Sequence, residues 1–102
     1  MGRMVDGQWT TTWYIPSSEG HFQRPDTQFR EVVVDDPTAR FHVEAGRYHL
    51  YLSEACPWAH RVSLMRRLRG LDDVITVTHV DPLMLDDGWR FADEEPDPFS
   101  HG

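Results

Sequence analysis

Cys56 is the one thiol in 102 residues, and it follows an apolar run, Tyr48-His49-Leu50-Tyr51-Leu52-Ser53, where a helical pattern begins. A cysteine at such a corner can act as a nucleophile. The first amides of a helix have no partner within it, and the helix dipole is positive there, so negative charge on sulfur is favoured. The alternative is a buried cysteine that acts as a small hydrophobe. Pro57 stands where proline suits the first helical position. Strand end, Pro57 and helix start together favour the reactive thiol. With no second cysteine, an internal disulfide and a multi-cysteine zinc site are both excluded. A mixed disulfide at Cys56 therefore needs a thiol from outside the chain to resolve it.

The elements that must position this thiol are legible around it. Tyr48 to Ser53 reads as a buried strand. Over residues 58–69, helical projection puts Trp58, Val62, Leu64, Met65 and Leu68 on one half, and Ser63, Arg66 and Arg67 on the other. Gly70 is placed to end the helix. Ile75 to Val80 (Ile-Thr-Val-Thr-His-Val) is β-branched and strand-like. Strand, helix and strand make a βαβ unit, expected to be parallel and right-handed. Ahead of it, residues 1–28 show no period and read as loop, with Trp9, Trp13, Phe22 and Phe29 expected to lie across another surface. Residues 29–34 predict a short strand, Asp35-Asp36-Pro37 a turn, and Phe41 with Val43 a second short strand. The expected organisation is an aromatic N-terminal extension over 1–46 and a partial α/β domain over 47–102.

Other side chains near the thiol carry two readings each. Arg61, central on the apolar helix half, is either a structural ion pair with Glu54 or Asp81 or a cation that supports the thiolate. Trp58 is either core or a wall of the thiol site. His60 lies four residues from Cys56, a spacing that metal sites use, but no second ligand pair follows and metal binding is not favoured. His21, His42, His49, His79 and His101 read as ordinary, and Arg66, Arg67 and Arg69 as a solvated helix face.

Charge narrows the function classes further. Seventeen acids face ten bases, every one an arginine, for a net charge of −7. The absence of lysine excludes Schiff-base chemistry, a catalytic lysine and a lysine-dependent phosphate loop. Residues 1–80 carry −1, from ten acids and nine arginines, and residues 81–102 carry −6, from seven acids and Arg90. Asp86-Asp87 and Asp93-Glu94-Glu95 could suggest a cation site, but a solvated acidic loop is the expectation. Net acidity argues against nucleic acid as a partner. No apolar run reaches the ~20 residues of a membrane span, no apolar leader opens the chain, and a lone cysteine suits a reducing, cytoplasmic setting.

The run Cys56-Pro57-Trp58-Ala59 resembles the Cys-Pro-x-Cys motif of dithiol oxidoreductases with Ala59 in place of the second cysteine. Glutathione is the abundant outside thiol of a reducing cell. Tyr48 to Arg61, then Arg67-Leu68-Arg69-Gly70-Leu71-Asp72-Asp73, then Gly88-Trp89-Arg90-Phe91, resemble the glutathionyl-hydroquinone reductases, the xi-class, omega-like glutathione transferases. The resemblance covers residues 47–91 strongly and the N-terminal extension loosely.

The resemblance implies a thioredoxin-like domain followed by an all-helical one, and a homodimer for full-length members. It implies that Cys56 attacks the sulfur of a glutathionyl-hydroquinone, keeps glutathione as a mixed disulfide, and is restored by a second glutathione. Trp89 would contact glutathione, and Trp58 and Pro57 are the further glutathione-binding candidates; Arg61 stays the candidate support for the thiolate from its charge, and no metal is expected. The later strands, a Val-Pro that grips glutathione, a Glu-Ser pair and the helical domain are missing from these residues. The chain thus reads as an N-terminal fragment with a truncated thioredoxin-like βαβ, inactive alone. Two rival functions are a monothiol glutaredoxin-like or omega-like deglutathionylase, and a non-catalytic remnant that only folds or binds.

Overall fold

The computed structural model describes residues 2–12, 18–21 and 26–99. Trp13, Phe22 and His101, weighed above, lie outside the described residues. The chain divides into two compact units, Gly2–Val43 and Glu44–Gly102.

The first unit opens on a hairpin that the period-based reading missed. Strands β1 (Arg3–Val5) and β2 (Gln8–Thr10) pair antiparallel, Arg3 opposite Thr10 and Val5 opposite Gln8. Asp6 and Gly7 join them, both at positive φ (49° and 77°). That is the backbone a two-residue hairpin turn demands, and Asp-Gly is among the few pairs that adopt it readily. Three-residue strands are too short to show alternation, so only the turn betrays the hairpin. The strands expected at 29–34 and 41–43 are not formed. One rung joins Val34 to His42, with Val34 N–H donating to Phe41 O at 2.9 Å and Val43 N–H to Val34 O at 3.1 Å. Below that rung Asp36 builds the expected turn, its carboxylate accepting from the Thr38 amide at 2.9 Å and the Thr38 hydroxyl at 2.8 Å. Nor does Phe29 lie across a surface, since it is 89% exposed.

In the second unit β3 (Tyr48–Leu52), α1 (Pro57–Leu68) and β4 (Ile75–His79) follow the expected order and bounds closely. The strands pair parallel, from Tyr48 opposite Ile75 to Leu52 opposite His79. Alternation gives the pair two different faces. Leu50, Val62, Met65 and Ile75 line an apolar groove between the sheet and α1. On the opposite face His49 and Tyr51 meet residues that follow β4.

The end of α1 is closed by a double backbone bond, Gly70 N–H to Arg67 O at 3.1 Å and Leu71 N–H to Arg66 O at 2.9 Å, with Gly70 at φ 65°. This is the six-to-one, five-to-two pattern of a left-handed helix stop. Arg66 is not the solvated residue expected. Its guanidinium donates to Ile75 O at 2.7 Å and Asp72 O at 2.9 Å, and pairs with the Asp72 carboxylate at 3.2 Å. It thereby ties the helix end to the start of β4. The apolar half of α1 is not core: Trp58, Val62, Leu64, Met65 and Leu68 are all exposed. Among the described residues Leu52, 7% exposed, is the buried hydrophobic residue.

The acidic stretch after β4 is not merely a solvated loop. An antiparallel bridge joins Val80 to Phe91, and Asp81 N–H donates to Arg90 O at 2.8 Å. Residues 81–90 are thus a loop closed at its base. Asp81 Oδ1 accepts from Leu83 N–H at 2.9 Å, and Leu85 bridges to Gly88 inside the loop.

Candidate functional site

The thiol site is assembled from the end of β3 upward. Val80 N–H donates to Leu52 O at 2.8 Å, which pins the carboxyl ends of β3 and β4 side by side. Ser53, 4% exposed, then turns the chain. Its carbonyl accepts from Cys56 N–H at 3.1 Å and its hydroxyl from Ala55 N–H at 3.2 Å. Serine hydroxyls make such local turns, and this role of Ser53 was not foreseen, although its place at the end of an apolar run is the signal that could have found it.

Cys56 is the N-cap of α1, with extended backbone (φ −97°, ψ 114°), and Pro57 opens the helix as expected. His60 N–H donates to Cys56 O at 3.1 Å. No side chain caps this helix end, and its first turn holds no acidic residue. The thiol is half-buried. The positive end of the α1 dipole thus starts at Cys56, with no carboxylate on the helix's own first turn to oppose it.

The neighbours divide. Trp58 is 61% exposed, so it is not core, and the Arg61 guanidinium lies over its ring at 5.8 Å. Arg61 makes no ion pair with Glu54 or Asp81 among the described residues, and it lines the apolar groove beside Val62 and Met65. Trp89 lies between Gly88 and Arg90, next to the base of the closed 81–90 loop, and is exposed. No hydrogen bond or ring contact joins it to Cys56 among the described residues. Among those residues, no group of three or more His, Cys, Asp or Glu side chains is close enough to hold a metal ion.

Beside the corner opens a cleft of ≈ 240 Å³, lined by Ser53, Glu54, His60, Ser63 and His79 with Leu52 and Ala59. It lies at the carboxyl ends of two parallel strands, the place where open α/β sheets receive ligands. His60 and His79, to which the sequence assigns no chemistry, both line it. His49, ordinary by sequence, has both ring nitrogens engaged, with Thr76 Oγ1 at 2.6 Å and Thr78 Oγ1 at 2.8 Å. His49 also meets Tyr51 and Phe99 edge to face, each at 4.8 Å. Desolvation raises the Tyr51 phenol above its ordinary value of 10.0, and its hydrogen bond to Asp97 and that residue's charge raise it further.

No family model matches the chain. It is 48% identical over 103 residues to the glutathionyl-hydroquinone reductase YqjG of Escherichia coli K12, covering 94% of this chain and 31% of that one. It is 47% identical over 92 residues to the glutathionyl-hydroquinone reductase PcpF of Sphingobium chlorophenolicum, covering 89% and 28%. Among solved structures, a xi-class glutathione transferase from Natrialba magadii superposes with a TM-score of 0.78 at 47% identity, over 99% of this chain and 30% of that one. The glutathione-bound YqjG of E. coli superposes with a TM-score of 0.60 at 38% identity, over 98% and 28%. The fold is therefore a thioredoxin-like βαβ, and the chain spans less than a third of the length of each of these relatives.

Proposed function

We propose that this chain, which belongs with the N-terminal part of the xi-class glutathione transferases, takes glutathione onto Cys56 as a mixed disulfide in the reduction of glutathionyl-hydroquinones. The observation that carries the reading is the geometry of Cys56: a half-buried N-cap thiol on a helix start with no other cap, and Ala59 where a resolving cysteine would stand. The Cys56 thiolate attacks the glutathionyl sulfur and an S–S bond forms. The bond from that sulfur to the aryl carbon breaks, and the electron pair left on carbon takes a proton to give the hydroquinone. A second glutathione thiolate then attacks the glutathionyl sulfur of the mixed disulfide, giving oxidised glutathione and the free Cys56 thiolate. In this reading Trp89, Pro57 and Trp58 contact glutathione and Arg61 lends positive charge near the sulfur. The setting in this reading is the reducing cytoplasm, and homodimerisation belongs to full-length members of the family. No helix among the described residues is long and apolar enough to cross a membrane.

Oxidised glutathione supplies the test. Mass spectrometry of the treated chain should show one glutathione adduct, absent from Cys56→Ser, and iodoacetamide should alkylate Cys56 at neutral pH. A thiol inert to both reagents sinks the reading and leaves a domain that only folds or binds. Faster removal of glutathione from a glutathionylated peptide than from a glutathionyl-hydroquinone would favour an omega-like deglutathionylase. Turnover of the hydroquinone by these 102 residues should be slow beside that of a chain carrying the relatives' remaining length. Positioning supplies much of an enzyme's rate, and Cys56 and Trp89 are only part of a site.

A further inference from the structure

Residues 91–99 run back along the β3–β4 pair and are held at four points, three on the face opposite α1 and one, through Glu95, at the outer edge of β4. Phe91 meets the Tyr51 ring edge to face at 5.6 Å. Glu95 Oε1 accepts from the His79 backbone N–H at 2.9 Å and lies 3.5 Å from His79 Nδ1. Asp97 Oδ1 accepts from the Tyr51 hydroxyl at 2.8 Å. Phe99 meets His49 at 4.8 Å. The Glu95 contact has a clear physical basis. Val80 N–H points toward β3, so the preceding amide, of His79, points away along the free edge of the sheet. An edge amide left open costs stability and invites pairing with another chain. A carboxylate satisfies it with a charge-assisted bond.

The four contacts fix more than themselves. The closed 81–90 loop leaves the sheet at Val80 and returns at Phe91, the first residue of this strap. Trp89 stands two residues before that return. Cys56 leaves the same end of the same strand pair through Ser53. We propose that the 91–99 strap, through Glu95 on His79 and Asp97 on Tyr51, is a positioning device: it sets the Gly88-Trp89 turn at the carboxyl ends of β3 and β4, where glutathione is to be received beside Cys56. This rests on the proposed capture of glutathione by Cys56. Glu95 and Asp97 touch no reacting atom in this scheme and act only through the loop they hold.

The test separates capture from thiol chemistry in the 102-residue chain. The second-order rate of adduct formation with oxidised glutathione is measured beside the rate of alkylation by iodoacetamide, which needs no recognition surface. Glu95→Ala should slow adduct formation roughly tenfold, the scale of one charge-assisted hydrogen bond, and leave alkylation unchanged. Glu95→Gln keeps an acceptor for the His79 amide and should recover most of the loss. Tyr51→Phe keeps the ring contacts, removes only the bond to Asp97, and should slow adduct formation by a smaller factor. It also keeps the test decisive if Glu95→Ala fails to fold by circular dichroism. Adduct rates equal to the parent in Tyr51→Phe and in every folded Glu95 variant overturn the strap's role, as does an equal fall in both reactions. A parent chain that is alkylated but never glutathionylated overturns the capture reading itself.

Discussion

Asp36 shows how a single exposed carboxylate can be tied to its turn. The Thr38 amide and then the Thr38 hydroxyl hold it below its ordinary value of 3.8. Its charged form is the one that accepts both bonds, so the folded turn favours ionisation. The sign follows from that. A carboxyl lowered on folding contributes stability above its ordinary value, and the contribution is lost as pH falls through the lowered folded value. A carbon-detected NMR titration of Asp36 should give a midpoint below 3.8. Thr38→Ala removes only the hydroxyl and should return the midpoint part of the way, since the larger effect comes from the backbone amide. A midpoint at 3.8 in the parent would deny the turn in solution. At this same scale, Cys56 was legible because proline and a strand end surround it. Ser53 was not, because its work is done through its own carbonyl and a hydrogen bond two residues away.

The β3–α1–β4 unit was legible at the scale of elements, and the hairpin was not. The first carries a twelve-residue helix with Pro57 at one end and Gly70 at the other, and two five-residue strands rich in β-branched and aromatic side chains. The second rests on three-residue strands, in which no period can be read, and on Asp6-Gly7 alone. The strap escaped notice for another reason. Glu95 and Asp97 sit among acids that read as solvated, and their partners are a backbone amide and a hydroxyl that no charge pattern announces. Arg66 escaped likewise, because two of its three acceptors are carbonyls. Its contribution can be read by urea unfolding. With its side chain only 18% exposed, Arg66→Met should destabilise the second unit by about 1.5–3 kcal/mol, the range for hydrogen bonds that involve a charged group. Arg67 meets Asp72 only at 3.8 Å and is largely exposed, so Arg67→Ala should cost under about 1 kcal/mol. Equal effects would mean that the Arg66 bonds to Ile75 and Asp72 do not hold the helix end.

At the scale of the whole molecule, apolar surface and net charge oppose each other. Trp58, Val62, Leu64, Met65 and Leu68 stay exposed on α1, beside an apolar groove floored by Leu50 and Ile75. Exposed apolar side chains gathered on one helix favour association. The charge of −7 resists it, because like-charged copies repel. Salt screens that repulsion, with a Debye length of about 10 Å at 0.1 M and about 3 Å at 1 M, and leaves apolar attraction in place. The 102-residue chain should therefore associate more strongly as sodium chloride rises, and sedimentation velocity at fixed protein concentration should show the mean mass climbing. Met65→Lys places a charge in the middle of the patch without touching Cys56, Ser53 or the strap. It should hold the chain monomeric at salt concentrations where the parent associates, with iodoacetamide alkylation of Cys56 unchanged. Association that weakens with salt would mean that charged surfaces, not the face of α1, bring the copies together.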